Sequence, residues 1–141
     1  KKPKDPLPSD KKWEWMKLIY PNHANNIIYD KQVNTFIVLL QKLQVDYDDV
    51  VWVAGSDRVS KYQEVLKKNN GTEFTFRSAE CVSAGERDPD ADGAPGMSAS
   101  KMRDAAEKLD TETFKKGISD KLTVNEKMQL LQEVRNGMGL E

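Results

Sequence analysis

A layered α/β fold with an open parallel sheet is what this sequence predicts, on three observations. The continuous apolar run Val50-Val51-Trp52-Val53-Ala54 breaks off at Gly55, as strands buried on both faces of a parallel sheet do. Helical periodicity flanks that run on either side, through Val33, Phe36, Ile37, Leu40 and Leu43 before it and Val59, Tyr62, Val65 and Leu66 after it. Phe74, Phe76, Cys81 and Val82 then supply one or two further strands, so strands alternate with helices.

The elements follow in order. Residues 1–8 carry three of the six prolines and read as a solvated loop or linker rather than a first element. Ser9 is placed to cap a helix from Asp10 to Tyr20, with acidic Asp10 in its first turn. Trp13, Met16 and Tyr20 would share its buried face, widened by Trp15, Leu18 and Ile19, and Pro21 stops it. Ile27-Ile28-Tyr29 suits a short strand or part of a turn. The next helix runs from Lys31 to Gln44 and is broken by Asp46-Tyr47-Asp48-Asp49 ahead of the apolar strand. Asn69-Asn70-Gly71 closes the helix that follows. Ala84 to Gly96 is a polar loop. Ser98 then opens a helix holding Met102, Ala105, Ala106 and Leu109. Two more helices cover Thr111 to Lys116 and Thr123 to Arg135, the second begun by a capping box of Thr123 with Glu126.

Composition bounds the function. The chain has 141 residues, 22 Lys plus Arg against 23 Asp plus Glu, a net charge of −1 and 38% hydrophobic residues. A chain this long buries roughly two thirds of its unfolded surface, enough for a single domain spanning residues 1–141. Near-neutral charge argues against a general grip on nucleic acid or anionic membrane. The lone Cys81 excludes an internal disulfide framework and a multi-cysteine metal site, and its apolar strand context suits a buried structural thiol. No apolar run approaches the roughly 20 residues of a membrane span. The expectation is a protein of the reducing cytoplasm.

Two junctions carry residues suited to chemistry. At the strand exit Gly55-Ser56-Asp57-Arg58, Gly55 allows close backbone approach and Asp57 can accept hydrogen bonds from a sugar hydroxyl or base amine; ligands of open α/β sheets sit beyond the carboxyl ends of strands. A plain turn, with Asp57 capping the next helix, would use the same residues. At Met97-Ser98-Ala99-Ser100-Lys101-Met102-Arg103 a loop enters a helix whose free N–H groups and dipole favour an anion. Ser98 and Ser100 add short donors, Lys101 an ammonium, and Arg103 a planar fork suited to phosphate oxygens. A capped surface helix with two solvated cations is the plainer alternative.

In these junctions the chain resembles the nucleotidyltransferase superfamily with a Rossmann-like α/β core, which includes cytidylyltransferases and the adenylyltransferases of cofactor synthesis. The versions encoded by bacteriophages resemble it most. That superfamily ends its core with Ile-Ser-Ser-Thr-x-x-Arg, here Met97 to Arg103, and carries a Gly-x-Asp segment after an apolar strand, here Gly55-Ser56-Asp57. The loop Ser83-Ala84-Gly85-Glu86-Arg87-Asp88-Pro89-Asp90 is similar to that of the phage-type members. The resemblance implies attack of a phosphorylated acceptor on the α-phosphorus of ATP or CTP, with release of pyrophosphate and with Mg²⁺ on the phosphates. Ser98, Ser100 and Arg103 would hold the leaving phosphates, while Gly55 and Asp57 would line the nucleotide or acceptor pocket. Lys101 and Arg58 are adjacent candidates. If the gene is phage-borne, the compartment is the host cytoplasm.

The chain departs from this family at one defining place. His-x-Gly-His after the first strand is absent, and the single histidine, His23 in Pro21-Asn22-His23-Ala24, reads as a solvated or capping residue. No catalytic residue is therefore identified. The expectation is an open parallel sheet with helices on both faces that lacks its first strand and its natural N-terminus, plus C-terminal helices, impaired in turnover as it stands. The alternative is a complete non-catalytic nucleotide- or phosphate-binding module, or a phage structural component reusing the fold. An exposed sheet edge would favour homo-oligomers.

Two further motifs are set aside. Asp88-Pro89-Asp90-Ala91-Asp92-Gly93 matches the opening half of a calcium loop, yet its twelfth position is Ala99 where an acidic ligand is required, so a flexible acidic loop is expected and no metal site. Ser98-x-x-Lys101 matches a penicillin-binding nucleophile motif by chance, because the companion motifs are absent.

Overall fold

A computed structural model describes residues 3–86 and 96–141. Most of the expected polar loop, including the calcium-like stretch, lies outside the described residues. The chain divides into two compact units: a helical unit formed by the residues up to Tyr29 together with the C-terminal residues, and an α/β unit beginning at Asp30.

In the helical unit, α1 (Ser9–Ile19) starts one residue earlier than expected. Pro8 occupies the cap position, its carbonyl accepting the Lys12 N–H at 3.0 Å, so Ser9 is the first helical residue and no side chain caps the helix. The expected buried face is also displaced. Trp15 is buried, whereas Met16, Leu18 and Tyr20 are 44%, 49% and 54% exposed. Trp13 lies instead against Tyr29, with the Lys17 ammonium over its ring and its indole N–H on the Ile27 carbonyl at 2.6 Å. Pro21 ends α1 and opens a 3₁₀ turn, Pro21–Asn26. Ile27 to Tyr29 form no strand, and Ile28 is 84% exposed.

The remaining three helices lie where the sequence predicts them, except that the one opened by Ser98 ends at Glu107: Leu109 takes a left-handed φ of 56° beyond it and is 55% exposed. They are α4 (Ala99–Glu107), α5 (Thr111–Gly117) and α6 (Val124–Met138). Thr123 and Glu126 form the expected capping box, and Gly139 ends α6 in the left-handed region that glycine adopts without strain. Trp15, Ala105, Ala106, Phe114, Leu122, Leu130, Leu131 and Val134 make one core. Two buried cations close helix ends around it. Lys127 donates to the Lys115 carbonyl and to Asp120, and Arg135 donates to the Ala106 and Glu107 carbonyls at 2.8 and 2.9 Å. Each donates to carbonyls at the end of a helix, where the regular i+4 N–H donor is missing.

The α/β unit consists of α2 (Phe36–Leu43), β1 (Asp49–Ala54), α3 (Val59–Asn69) and β2 (Ser78–Ser83). The expected start of α2 at Lys31 is too early. The Thr35 hydroxyl accepts the Val38 N–H and begins the helix there, while Asp30 accepts from Gln32 N–H and holds the Lys42 ammonium, which fixes residues before Thr35 as a turn. Val33 therefore lies outside the helix.

β1 and β2 form a parallel pair in register from Asp49 against Ser78 to Ala54 against Ser83. Burial on both faces of β1 is not what the structure has. Val50, Trp52 and Ala54 face the core with Leu40, Leu66, Phe74, Phe76 and Cys81, while Val51 and Val53 on the other face are 58% and 60% exposed. Both α2 and α3 pack on the Trp52 side, where Phe36, Trp52 and Tyr62 meet ring to ring. Phe74 and Phe76 belong to no strand. The Asn70 side-chain amide exchanges two hydrogen bonds with the Phe76 backbone, at 2.9 and 3.2 Å, taking the place that a paired strand would fill.

Candidate functional site

The seven residues singled out in the sequence fall into two groups, one in each unit. Gly55, Asp57 and Arg58 lie at the carboxyl end of β1. Gly55 takes an ordinary φ of −59°, so its lack of a side chain serves space rather than conformation: a Cβ there would sit 3.0 Å from Asp57 Oδ1. A 3₁₀ turn, Ser56–Arg58, leads directly into α3. The exits of the two strands are tied together, because Ala84 N–H donates to the Ala54 carbonyl at 2.8 Å and Ser56 N–H to the Gly85 carbonyl at 3.4 Å. No side chain caps α3. The plain capping role for Asp57 is thereby set aside.

Asp57 and Arg58 line an open groove of about 610 Å³, which falls within the range of small-molecule sites. Lys61, Tyr62 and Val65 of α3 share that wall, and Thr35, Phe36 and Ile37 at the start of α2 form the other. Phe36 and Tyr62 are 5.2 Å apart by ring centroids, and Trp52 lies 4.5 Å edge-on from Phe36. The groove thus offers aromatic surface for a planar group, two cations for an anion, and one carboxylate for hydroxyl or amine donors. Thr35, Phe36, Lys61 and Tyr62 were missed by motif reasoning. Thr35 carries a readable signal, a cap residue directly ahead of an apolar run, but nothing in the linear sequence joins it to Arg58.

Ser98, Ser100, Lys101 and Arg103 lie at the other junction, in the helical unit. Ser98 is extended and caps α4, its Oγ accepting the Lys101 N–H at 3.2 Å. Its hydroxyl hydrogen stays available to a ligand oxygen. Arg103 Nη2 donates to Ser100 Oγ at 3.3 Å, so these two side chains share one face of the first turns of α4. The Lys101 ammonium donates to the Gly96 carbonyl at 2.9 Å, which fastens the incoming loop to the helix. Lys101 therefore has a structural task, while Ser98, Ser100 and Arg103 present the donors suited to an anion.

Other chemistry-bearing residues stand apart. His23 is exposed in its 3₁₀ turn, and Cys81 is a buried free thiol on β2. Among the described residues, no group of three or more His, Cys, Asp or Glu side chains is placed to hold a metal ion, and no helix is long and apolar enough to cross a membrane. No protein-family model, curated protein or solved structure shows significant similarity to the chain.

Proposed function

We propose that this chain is a nucleotidyltransferase-type domain that binds a nucleoside triphosphate, ATP or CTP, and a phosphorylated acceptor. The observation that carries the reading is the start of α4. A Ser-capped helix with Ser100 and Arg103 side by side offers hydroxyl donors, helix N–H groups and a guanidinium fork to phosphate oxygens, at the motif spacing of that superfamily. In this reading β1, α3 and β2 are a βαβ part of a Rossmann-like open sheet, and Gly55, Asp57 and Arg58 stand at its ligand-binding edge. Within the α/β unit, the groove bounded by Phe36 and Tyr62 offers aromatic surface to a planar group.

The chemistry asked of these residues is positioning and charge stabilisation. Ser98 and Ser100 would orient the β- and γ-phosphates, and Arg103 would neutralise charge that grows on the departing pyrophosphate. Mg²⁺ fits only as an ion carried by the triphosphate, since the candidate residues include a single carboxylate, Asp57.

Titration of the full chain with Mg-ATP, Mg-CTP and inorganic pyrophosphate tests this by thermal shift. At least one ligand should raise the melting temperature, and Arg103→Ala should abolish the rise. No shift at millimolar concentration overturns the reading. The second reading, a non-catalytic binding module or structural phage component, is favoured by one specific observation: the chain holds one histidine and so lacks the His-x-Gly-His pair. Pyrophosphate release separates the two, because a binding module shows the shift without release.

A further inference from the structure

Among the described residues β1 and β2 are bonded to each other and to no other strand, so each has one outer edge. The two edges are not alike. In a parallel pair, alternate residues of a strand turn N–H and C=O to the neighbour, and those between turn both away. The Ala84 N–H donates to the Ala54 carbonyl. Val50, Trp52 and Ala54 therefore turn their backbone groups to β2, while Val51 and Val53 turn theirs to the outer edge. On β2 the same alternation directs Cys81 outward, and there its N–H donates to Gln63 Oε1 at 2.8 Å. A side chain of α3 thus caps the outer edge of β2 at its middle. Among the described residues no side chain does this for β1. The bare sheet face lies along that same open edge: Val51 and Val53 are exposed, and Val82 stands beside Val53 on β2. Parallel strands are ordinarily covered on both faces, and an uncapped apolar edge is a template for a further strand.

The strand that fits is β1 of a second copy. Set antiparallel about a two-fold axis at Trp52, Val51 of each copy lies directly opposite Val53 of the other. Both residues turn their backbone groups to the seam, as a hydrogen-bonded pair requires, and both carry valine side chains on the same face. On the core side the two Trp52 rings become neighbours, and Trp52 is only partly buried in one chain. Charge agrees with this register, because Asp49 falls opposite Gly55 of the other copy and no carboxylate meets another. An axis at Val51 would set Asp49 against Val53, and an axis at Val53 would set Val51 against Gly55; either keeps one valine pairing instead of two. Assembly then stops at four strands, since the outer edges of the joined sheet are the β2 edges that Gln63 caps. The contact is isologous and closed, so it makes a dimer and not a fibre.

We propose that the chain forms a two-fold dimer through the open edge of β1, the sheet running β2–β1–β1–β2 across two copies with Val51 of each against Val53 of the other. A seam of two six-residue strands is shorter than an obligate interface, so the dimer dissociates on dilution.

Sedimentation equilibrium of the full chain from about 5 to about 500 µM tests this across the range where such short interfaces dissociate. The mass should climb from the 16.0 kDa of a single chain toward that of two. The Val51 and Val53 amides should exchange hydrogen more slowly in the concentrated sample than in the dilute one. Two double variants locate the seam. Val51→Lys with Val53→Lys sets like charges opposite each other twice and should weaken association at least tenfold. Val51→Lys with Val53→Glu sets Lys opposite Glu twice and should associate within about threefold of the unaltered chain. Both variants change only exposed side chains, and circular dichroism of each in dilute solution checks the fold. A single-chain mass at the highest concentration overturns the proposal, as does amide exchange at Val51 and Val53 that is the same in both samples. A dimer that both variants form equally is made elsewhere and also overturns it. A dimer that both folded variants lose overturns the pairing of Val51 with Val53.

Discussion

Replacing Gly137 by Ala should separate the stability of α6 from the seating of the chain that precedes α1. Gly137 lies in the last turn of α6, where an alanine ordinarily gains up to about 1 kcal/mol over glycine. Here a Cβ would meet backbone, lying 1.9 Å from the Pro6 oxygen, 2.6 Å from its carbonyl carbon and 2.9 Å from its Cα. Atoms do not approach so closely, and backbone cannot rotate away as a long side chain would. The segment from Lys4 to Leu7 must leave its seat. What is lost is the half-buried Leu7 side chain, about 1 kcal/mol as part of a full leucine burial, together with the exposed Asp5–Lys12 pair, which adds little. In the full chain the two effects nearly cancel, so the net change alone decides nothing. A chain shortened by residues 1–7, with Pro8 and its cap on α1 kept, has no segment to displace, and there Gly137→Ala should stabilise by up to about 1 kcal/mol. The coupling between shortening and substitution is then about 1 kcal/mol, a difference of about 3–4 °C in melting temperature at this size. Calorimetric melting of the four proteins measures it. Trypsin should also cleave at Lys4 and Lys12 faster in the full-length variant. An equal Tm change in both backgrounds, with unchanged cleavage, refutes the reasoning.

Leu109 holds φ 56° just after α4, where Leu109 N–H reaches the Ala106 carbonyl and Asp110 N–H the Ala105 carbonyl; glycine is the residue that suits this closure, and Leu109 is 55% exposed. Leu109→Gly should raise stability by about 0.5–1 kcal/mol in urea unfolding, the relief of left-handed strain exceeding the added freedom of the unfolded chain. Asp120 donates no proton to its partner but accepts from Lys127, and that hydrogen bond, with the charge of Lys127, holds its carboxyl below the usual range. The folded value is the lower one, so the contribution is present above the ordinary aspartate range and lost as pH falls through the depressed value. Asp120→Asn should accordingly flatten the acid side of the stability–pH curve, and an unchanged slope counts against the pair. Val51→Thr and Val53→Thr should each change stability by under about 1 kcal/mol, as fits an exposed sheet face, whereas burial on both faces would make each cost more.

What the sequence discloses here is what local chemistry decides. The capping box at Thr123, the cap at Ser98 and the stop at Pro21 each rest on contacts within four residues, and each element they mark is present. Phe74 and Phe76 show the opposite case: their alternation looks like a strand, yet the Phe76 backbone bonds to the Asn70 side chain and the Phe74 backbone to Asn69 and Gly71 in a tight turn, which no periodicity records. The apolar run of β1 is likewise ambiguous, because the same five residues serve a strand covered on both faces or on one, and only the placing of α2 and α3 decides. The candidate sites divide along the same line. Ser98, Ser100 and Arg103 are legible because a single helix start brings them together by spacing. Thr35, Phe36 and Tyr62 join Asp57 and Arg58 only through the packing of α2 and α3 against Trp52. Short motifs therefore report where an anion can be held, while groove walls are assembled from distant segments. That is why the motif suggests phosphate chemistry without naming a substrate.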